Sequence, residues 1–428
     1  MKKILQLFLA LLARLMLRRY TPTIICITGN VGKTSTKEAV FAVVGSSFSA
    51  RKSEKNYNNE IGVPLTILGI HSGGKSVFAW AIQCVRACGK LVWTRYPQVL
   101  VIEMAVDRPG DMEYLLSIVT PTIAVFTSMG EMPVHVENFV SAQSMIREKV
   151  KLAHAVEKNG FVIVNEDVLA WREIKTKGTL VRYGTAPYAD VKIHTPEYRF
   201  SVGDEGSPAP IGITFKMEYK GSLVPFRLDG VFGMASGTYA AAAACAVGMA
   251  LEMNLVEVAG ALQNYTPPNG RLKLIEGIRG SFILDDTYNA SPSSMDVALE
   301  TLYALPAERK IAVLGDMLEL GKFTEEAHRT VGRKAASACS VLVTVGERMR
   351  LAADEAKAHG FVENENLFSF DTAEDAGKFM AGIIQAKDLV MVKGSQSMRM
   401  EYVVKEIMAH PERAEELLVR QDKKWLQS

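Results

Sequence analysis

The stretch TPTIICITGNVGKTSTKEAV, residues 21 to 40, constrains the fold more than any other in this 428-residue chain. A β-branched apolar run passes into a turn holding Gly29 and Gly32, then into Lys33, Thr34, Ser35 and a helical sequence. This is the strand–turn–helix of a phosphate loop, here in the shorter T-G-x-x-G-K-T form with Asn30 and Val31 between the glycines. In such a loop backbone N–H groups face the phosphates, the lysine pairs with the β- and γ-phosphates, and the hydroxyl after it coordinates Mg²⁺. The helix that follows presents its positive end to the same place. A glycine turn alone would be unspecific. Gly-Lys-Thr directly after a buried strand is specific, and it predicts ATP or GTP.

The rest of the chain agrees with that start. Short buried strands at 23–28, 99–106, 122–129 and 160–165 alternate with helical stretches, which predicts a parallel sheet covered on both faces. Between residues 180 and 230 the pattern switches to period two, predicting an antiparallel appendage. An Ala-rich helix follows. NYTPPNGR, residues 264–271, reads as a boundary, and a second strand–helix series has strands at 281–286, 310–317, 340–346 and 388–395. The expected fold is therefore α/β: a doubly wound P-loop-type unit over residues 23–267, then a Rossmann-like unit over 268–428. No repeat or low-complexity tract stands out.

Residues 1–22 are different. MKKILQLFLALLARLMLRRY is strongly apolar, yet Arg14, Arg18 and Arg19 keep it short of the roughly 20 apolar residues that span a bilayer. On a helix, Lys2, Lys3, Gln6, Arg14 and Arg18 gather on one side and Leu, Ile, Phe and Met on the other. Two readings stand for this basic amphipathic helix: a place on the cytoplasmic face of a membrane, or packing on the folded body. A net charge of +2 gives no reason to expect nucleic acid. Five scattered cysteines without C-x-x-C argue against structural zinc and disulfides, and suit a reducing cytoplasm.

Several residues carry possible chemistry. Glu103 falls inside a buried strand, where a carboxylate needs a cationic partner or a metal. With a nucleotide loop nearby, Mg²⁺ is the better reading. His135, in a loop after another strand, is weak by itself, and Lys149 reads locally as one charge on a solvated helix face. In the second series LDDTYNASPSSM, VLGDMLELG and VMVKGS each end a strand in polar residues. The carboxyl ends of strands are where doubly wound sheets bind ligands, and three such ends on one sheet are hard to explain as packing.

TGNVGKTSTKE, NYNNEIGVPLTIL, EMAVDRPGDM, HVENFVS, GRLKLIEG, DDTYNASPSSM, VLGDMLELG and VKGSQSMRME together resemble the Mur ligase family, most of all the branch that adds D-alanyl-D-alanine to UDP-N-acetylmuramoyl-tripeptide. The motifs run in family order from about residue 23 to 405. The resemblance implies an ATP-dependent ligase of peptidoglycan precursor synthesis, acting through an acyl phosphate. Its partners would be a muramoyl-peptide-type acid acceptor and an amino acid or dipeptide amine. It implies that Lys33 holds the phosphates, that Thr34 and Glu103 hold Mg²⁺, that His135 binds a second metal, and that Lys149 is carbamylated beside it. It places Arg271 against ATP as a hinge residue, and Asp285 or Asp286 on the ribose or phosphate. Asn289, Pro292, Ser294, Asp316, His328, Lys393 and Ser395 would line the amine side.

Two departures accompany the resemblance. The family begins with a domain that grips UDP, whereas here the phosphate loop starts near residue 28, so that domain is expected to be absent. Where the family has His-Asn-x-x-Asn near the adenine, this chain has Phe232, Gly233 and Ser236. The alternatives are a Mur-like ligase on another, lipid-linked acid, a nucleotide-binding scaffold that pairs with a cell-wall enzyme, and a plain P-loop GTPase.

Overall fold

The computed structural model describes residues 2–54, 57–92, 95–130, 138–202, 208–422 and 425. Two sheets organise them. The first has nine strands: β1 (Thr23–Thr28), β2 (Ala50–Lys52), β3 (Val99–Glu103), β4 (Ile123–Phe126), β5 (Phe161–Asn165), β6 (Thr179–Gly184), β7 (Val191–Val202), β8 (Pro208–Tyr219) and β9 (Ser222–Asp229). They lie in the order β2-β3-β1-β4-β5-β6-β7-β8-β9. Strands β1 to β6 run parallel, and β7, β8 and β9 form antiparallel pairs that extend the same sheet, as the change of period predicts. Strand β1 is central, with β3 on one side and β4 on the other. Its carboxyl end is thus a switch point of the topology, the usual ligand crevice of an open α/β sheet.

Eight helices belong to this part: α1 (Lys2–Tyr20), α2 (Lys33–Gly45), α3 (Gly62–Leu68), α4 (Val77–Val92), α5 (Asp111–Leu116), α6 (Ala142–His154), α7 (Met234–Ala250) and α8 (Leu255–Leu262). They split the apolar residues into two cores, one on each sheet face. One core joins Ile25, Ile27 and Val101 to α2 and α7. Helix α7 carries six alanines from Ala240 to Ala246 that are almost wholly buried. A helix apolar all round belongs inside, and its short side chains let it lie close to α2. The other core joins Cys26, Leu100 and Ile102 to α1, α3 and α6. Leu9, Ala13 and Met16 of α1 are fully buried there, so the first helix packs on the body.

The second sheet has strands β10 (Lys273–Glu276), β11 (Phe282–Asp286), β12 (Arg309–Gly315), β13 (Val341–Val345), β14 (Leu367–Phe370) and β15 (Asp388–Lys393), in the order β10-β11-β15-β12-β13-β14. All pairs are parallel except β10 with β11. Helices α9 (Pro292–Ala304) and α10 (Thr324–Ala338) cover one face. Helix α9 starts at a Ser291 cap whose side chain accepts from the Ser294 N–H, with Pro292 in the first turn. Proline fits there because that N–H lacks a helical partner in any case. The two sheets meet closely: a Cβ on Gly130, in the loop after β4, would come within 2.3 Å of Ser293 in α9.

Candidate functional site: a phosphate cleft between two sheets

The loop between β1 and α2 is shaped by its glycines. Gly29 has φ +144°, and a Cβ there would strike the Thr127 hydroxyl at 2.1 Å. Gly32 has φ +83° and immediately precedes α2. L side chains rarely adopt either value. No side chain caps α2. Its first N–H groups, which lack helical partners, therefore open onto the cleft, where an anion is favoured.

Register explains the acid beside it. Ile27 pairs with Glu103 across the parallel strands, which brings the Glu103 carboxylate level with the loop. Its Oε2 accepts from the Thr34 hydroxyl at 3.2 Å and its Oε1 from the Asn58 amide at 3.2 Å. The buried Lys37 ammonium lies 3.8 Å away. Both readings of a buried Glu103 thus meet in one place: a cation partner and an oxygen pair with Thr34 suited to Mg²⁺, a hard cation that favours oxygen.

Two lysines point at one carbonyl. Lys33 Nζ donates to the carbonyls of Gly29 (3.1 Å) and Asn30 (3.2 Å). Lys149 Nζ, from α6, donates to the same Gly29 carbonyl at 3.2 Å. Burial holds the Lys33 ammonium below the usual lysine range; Glu103 opposes that shift and Arg271 adds to it. Burial, reinforced by Lys33, lowers Lys149 to about 7. Lys149 is 2 % exposed, which corrects its local reading as a charge on a solvated face. Helix α6 turns Met145, Glu148, Lys149 and Leu152 inward.

Around this loop lies a cavity of about 530 Å³. The first sheet lines it with Gly29, Asn30, Val31, Gly32, Lys33, Thr34, Asn58, Glu103, Asp107 and Lys149; the second answers with Arg271, Tyr288, Asn289, Ser294, Ser395 and Gln396. The Arg271 guanidinium stacks on the Tyr288 ring at 4.1 Å, and its Nε is buried without a partner. A smaller adjoining cavity, about 50 Å³, is lined by Ser35, Ser236, Arg271, Asp286 and Lys393 among others. Asp286 and Lys393 are register partners on β11 and β15 and form an ion pair at 2.6 Å. The open helix end, the converging cations and the unpartnered Arg271 nitrogen fit a polyphosphate.

The model of the Mur ligase middle domain matches residues 86–222, and that of the Mur ligase glutamate ligase domain matches 270–396. The chain belongs to the Mur ligase family. This Mur ligase is 26 % identical to the UDP-N-acetylmuramoyl-tripeptide–D-alanyl-D-alanine ligase of Bacillus subtilis, covering 94 % of this chain and 79 % of the relative. It is 29 % identical to the enzyme of that name in Mycobacterium leprae, covering 88 % and 71 %. Its fold is similar to MurF ligase from Thermotoga maritima in complex with ADP, with TM-score 0.75 at 24 % identity over 93 % of this chain and 82 % of the other. MurF from Acinetobacter baumannii gives TM-score 0.75 at 23 % identity, over 93 % and 79 %.

Other expected site residues fall elsewhere in this Mur ligase. His135 lies outside the described residues. Of the Asp285/Asp286 pair, Asp286 lines the smaller adjoining cavity. Asp285 is wholly buried, accepts from the Thr287 N–H and hydroxyl, and is pushed up to about 6 by burial, with Oδ2 unpartnered. His328 lines neither cavity. Its Nδ1 donates to the Thr324 carbonyl (2.6 Å) and its Nε2 accepts from the Met317 N–H (3.1 Å), so both nitrogens hold the chain after β12. Asp316 is likewise taken up by the Met349 N–H, and Pro292 by the start of α9. Phe232 is core, whereas Ser236 faces the smaller cavity.

Sequence reasoning passed over Asn58, Asp107, Tyr288 and Gln396. Each sits inside a motif already singled out, but as an uncharged or exposed-looking polar residue with no spacing rule to mark it. Among the described residues no three His, Cys, Asp or Glu side chains cluster as a metal site.

Proposed function

We propose that this Mur ligase joins an amine to an acid of the muramoyl-peptide type at the expense of ATP, with D-alanyl-D-alanine as the amine. The observation that carries this reading is the facing of two unlike surfaces. A phosphate loop on one sheet looks across a single cleft at the polar strand ends of a second sheet. A kinase-like donor site and an amine pocket are what amide formation needs together. The curated relatives named above carry that activity in their names.

ATP is the co-substrate. The acid's carboxylate oxygen bonds to the γ-phosphorus as ADP leaves. The amine nitrogen then bonds to the acyl carbon, phosphate departs, and the amine loses a proton. Lys33 and the N–H groups at the start of α2 would balance the phosphate charge; Thr34 and Glu103 would hold Mg²⁺. Arg271 would contact the nucleotide from the far side, as its buried unpartnered Nε supports. Asn289, Ser294 and Ser395 would frame the amine.

Lys149 takes a second role in this reading. Its pKa near 7 leaves much of the amine neutral at physiological pH. Only the neutral amine attacks CO₂, forming an N–C bond and releasing a proton. The carbamate would replace a buried cation next to Lys33 by an anion, which relieves the repulsion between the two lysines.

The test is phosphate release with ATP, Mg²⁺, UDP-N-acetylmuramoyl-tripeptide and D-alanyl-D-alanine. Release should require both acid and amine, and a mass increase should identify the amide. Lys33→Ala should lower turnover by two orders of magnitude or more, about 3 kcal/mol of lost charge stabilisation. Release that ignores the amine, or a Lys33→Ala variant with near-normal turnover, would overturn the reading. A lipid-linked muramoyl-peptide serves as the second acceptor in the same assay.

A further inference from the structure

Helix α1 has two apolar sides, not one. Leu9, Ala13 and Met16 are buried against the body, while Ile4 (74 % exposed), Leu7 (63 %), Leu11 (49 %), Phe8 and Leu15 face outward. The outward residues recur every three to four positions, so they form a stripe along the helix. Helix α4 packs against α1, and the Tyr20 hydroxyl at the end of α1 reaches the carbonyls of Lys90 and Leu91 at 3.4 Å. It repeats the arrangement. Ala87 is its fully buried residue, and Phe78 (76 %), Ile82, Val85 (74 %) and Val92 lie on the opposite side.

Ten of the eighteen large apolar side chains exposed among the described residues lie on these two helices of 19 and 16 residues. Scattered exposed apolar residues need no explanation, but a concentration of this kind marks an interaction surface. Charge identifies the occupant. Neither helix contains an Asp or Glu, and no acidic residue occurs from Ile61 to Ile102. Lys3, Arg14, Arg18 and Arg19 accompany the α1 stripe; Arg86 accompanies that of α4, where Lys90 turns inward to the Gly69 carbonyl. A second copy of the chain would set these cations against one another. Anionic lipid headgroups complement them, and apolar stripes rimmed by Lys and Arg are how helices lie in a membrane interface. No helix among the described residues is long and apolar enough to cross a membrane.

We propose that the outward faces of α1 and α4 together form a seat for an anionic lipid surface, on which the enzyme rests without spanning it. The side of α1 away from the stripe faces the body. Gln6 of α1 donates to Glu60 and lines a cavity of about 270 Å³ with Asn59 and Tyr114. That cavity shares Ala105 and Asp107 with the phosphate cleft. The seat itself rests on the two helices alone and holds whatever the reaction proves to be.

Flotation of the full chain with phosphatidylcholine vesicles, with and without phosphatidylglycerol, tests it. Binding is expected only when phosphatidylglycerol is present, and it should weaken with salt. Leu7→Glu with Leu11→Glu on α1, and separately Phe78→Glu with Val85→Glu on α4, should each reduce binding at least about tenfold. Arg18→Glu with Arg86→Glu should reduce it several-fold. All six positions are exposed, so thermal melting should be unchanged, and melting separates lost binding from lost fold. Three results would overturn the proposal: a full chain that stays unbound with phosphatidylglycerol, equal binding to pure phosphatidylcholine, or insensitivity to the α4 pair. Light scattering that shows a dimer broken by the same variants would assign the face to self-association instead.

Discussion

Replacing Lys149 by methionine should stabilise the protein near neutrality while abolishing its activity. The reason is the buried ammonium. In the unfolded chain lysine titrates at its ordinary value of 10.5; in the folded protein burial and Lys33 bring it to about 7. Below pH 7 the group is charged in both states and the full penalty is present. Between 7 and 10.5 the unfolded chain holds a proton that the folded protein has released, so stability rises with pH across that window. Linkage over this shift puts the penalty at about 4 kcal/mol at pH 7 and about 2 kcal/mol at pH 9. Methionine matches the stem and removes the charge. It also removes the hydrogen bond to Gly29, a loss of about 1 kcal/mol. The net gain is about 3 kcal/mol at pH 7, falls to about 1 kcal/mol at pH 9, and reverses at about pH 10, just below the ordinary lysine pKa. Urea unfolding in CO₂-free buffer without nucleotide, at pH 7, 8 and 9, measures it through the midpoint. A variant less stable than its parent at pH 7 would refute the reasoning, as would a difference independent of pH.

Two further outcomes bear on the cleft. Lys149→Ala should be nearly inactive and partly rescued by short carboxylic acids, which can occupy the anion position that a carbamate would hold; rescue by short amines instead would point to a cationic role. Small-angle scattering should report compaction when an ATP analogue and the acid acceptor are both present, because Arg271 acts across the cleft between two sheets; an unchanged radius of gyration would count against closure around the reacting groups.

Much of the cleft was legible because phosphate chemistry constrains a continuous stretch of chain. Gly29, Gly32, Lys33 and Thr34 must follow one strand within a single turn, and local spacing is what a sequence displays. The strand–helix alternation was readable for a similar reason, since strands buried on both faces have to be apolar throughout. The antiparallel extension announced itself by its change of period. Strands such as β2 and β14, three and four residues long, carry too few residues to show one.

What the sequence could not decide were contacts made through register and long-range packing. Lys149 looks solvated in its own helix; it is buried because α6 lies over the phosphate loop, 120 residues away in sequence. His328 and Asp316 stand in polar stretches that resemble ligand sites, but backbone groups of Met317 and Thr324 take up the His328 ring, and the Met349 N–H, beyond β13, takes up Asp316 Oδ1. Asp286 rather than Asp285 meets Lys393 because successive residues of a strand point to opposite faces, and only the pairing of β11 with β15 says which face holds the lysine. The first helix shows the division most plainly. Its composition determines that it is apolar and basic, whereas only packing against α3 and α4 decides which leucines enter the core and which remain outside. Periodicity states that a helix has faces; the neighbours it meets determine what each face touches.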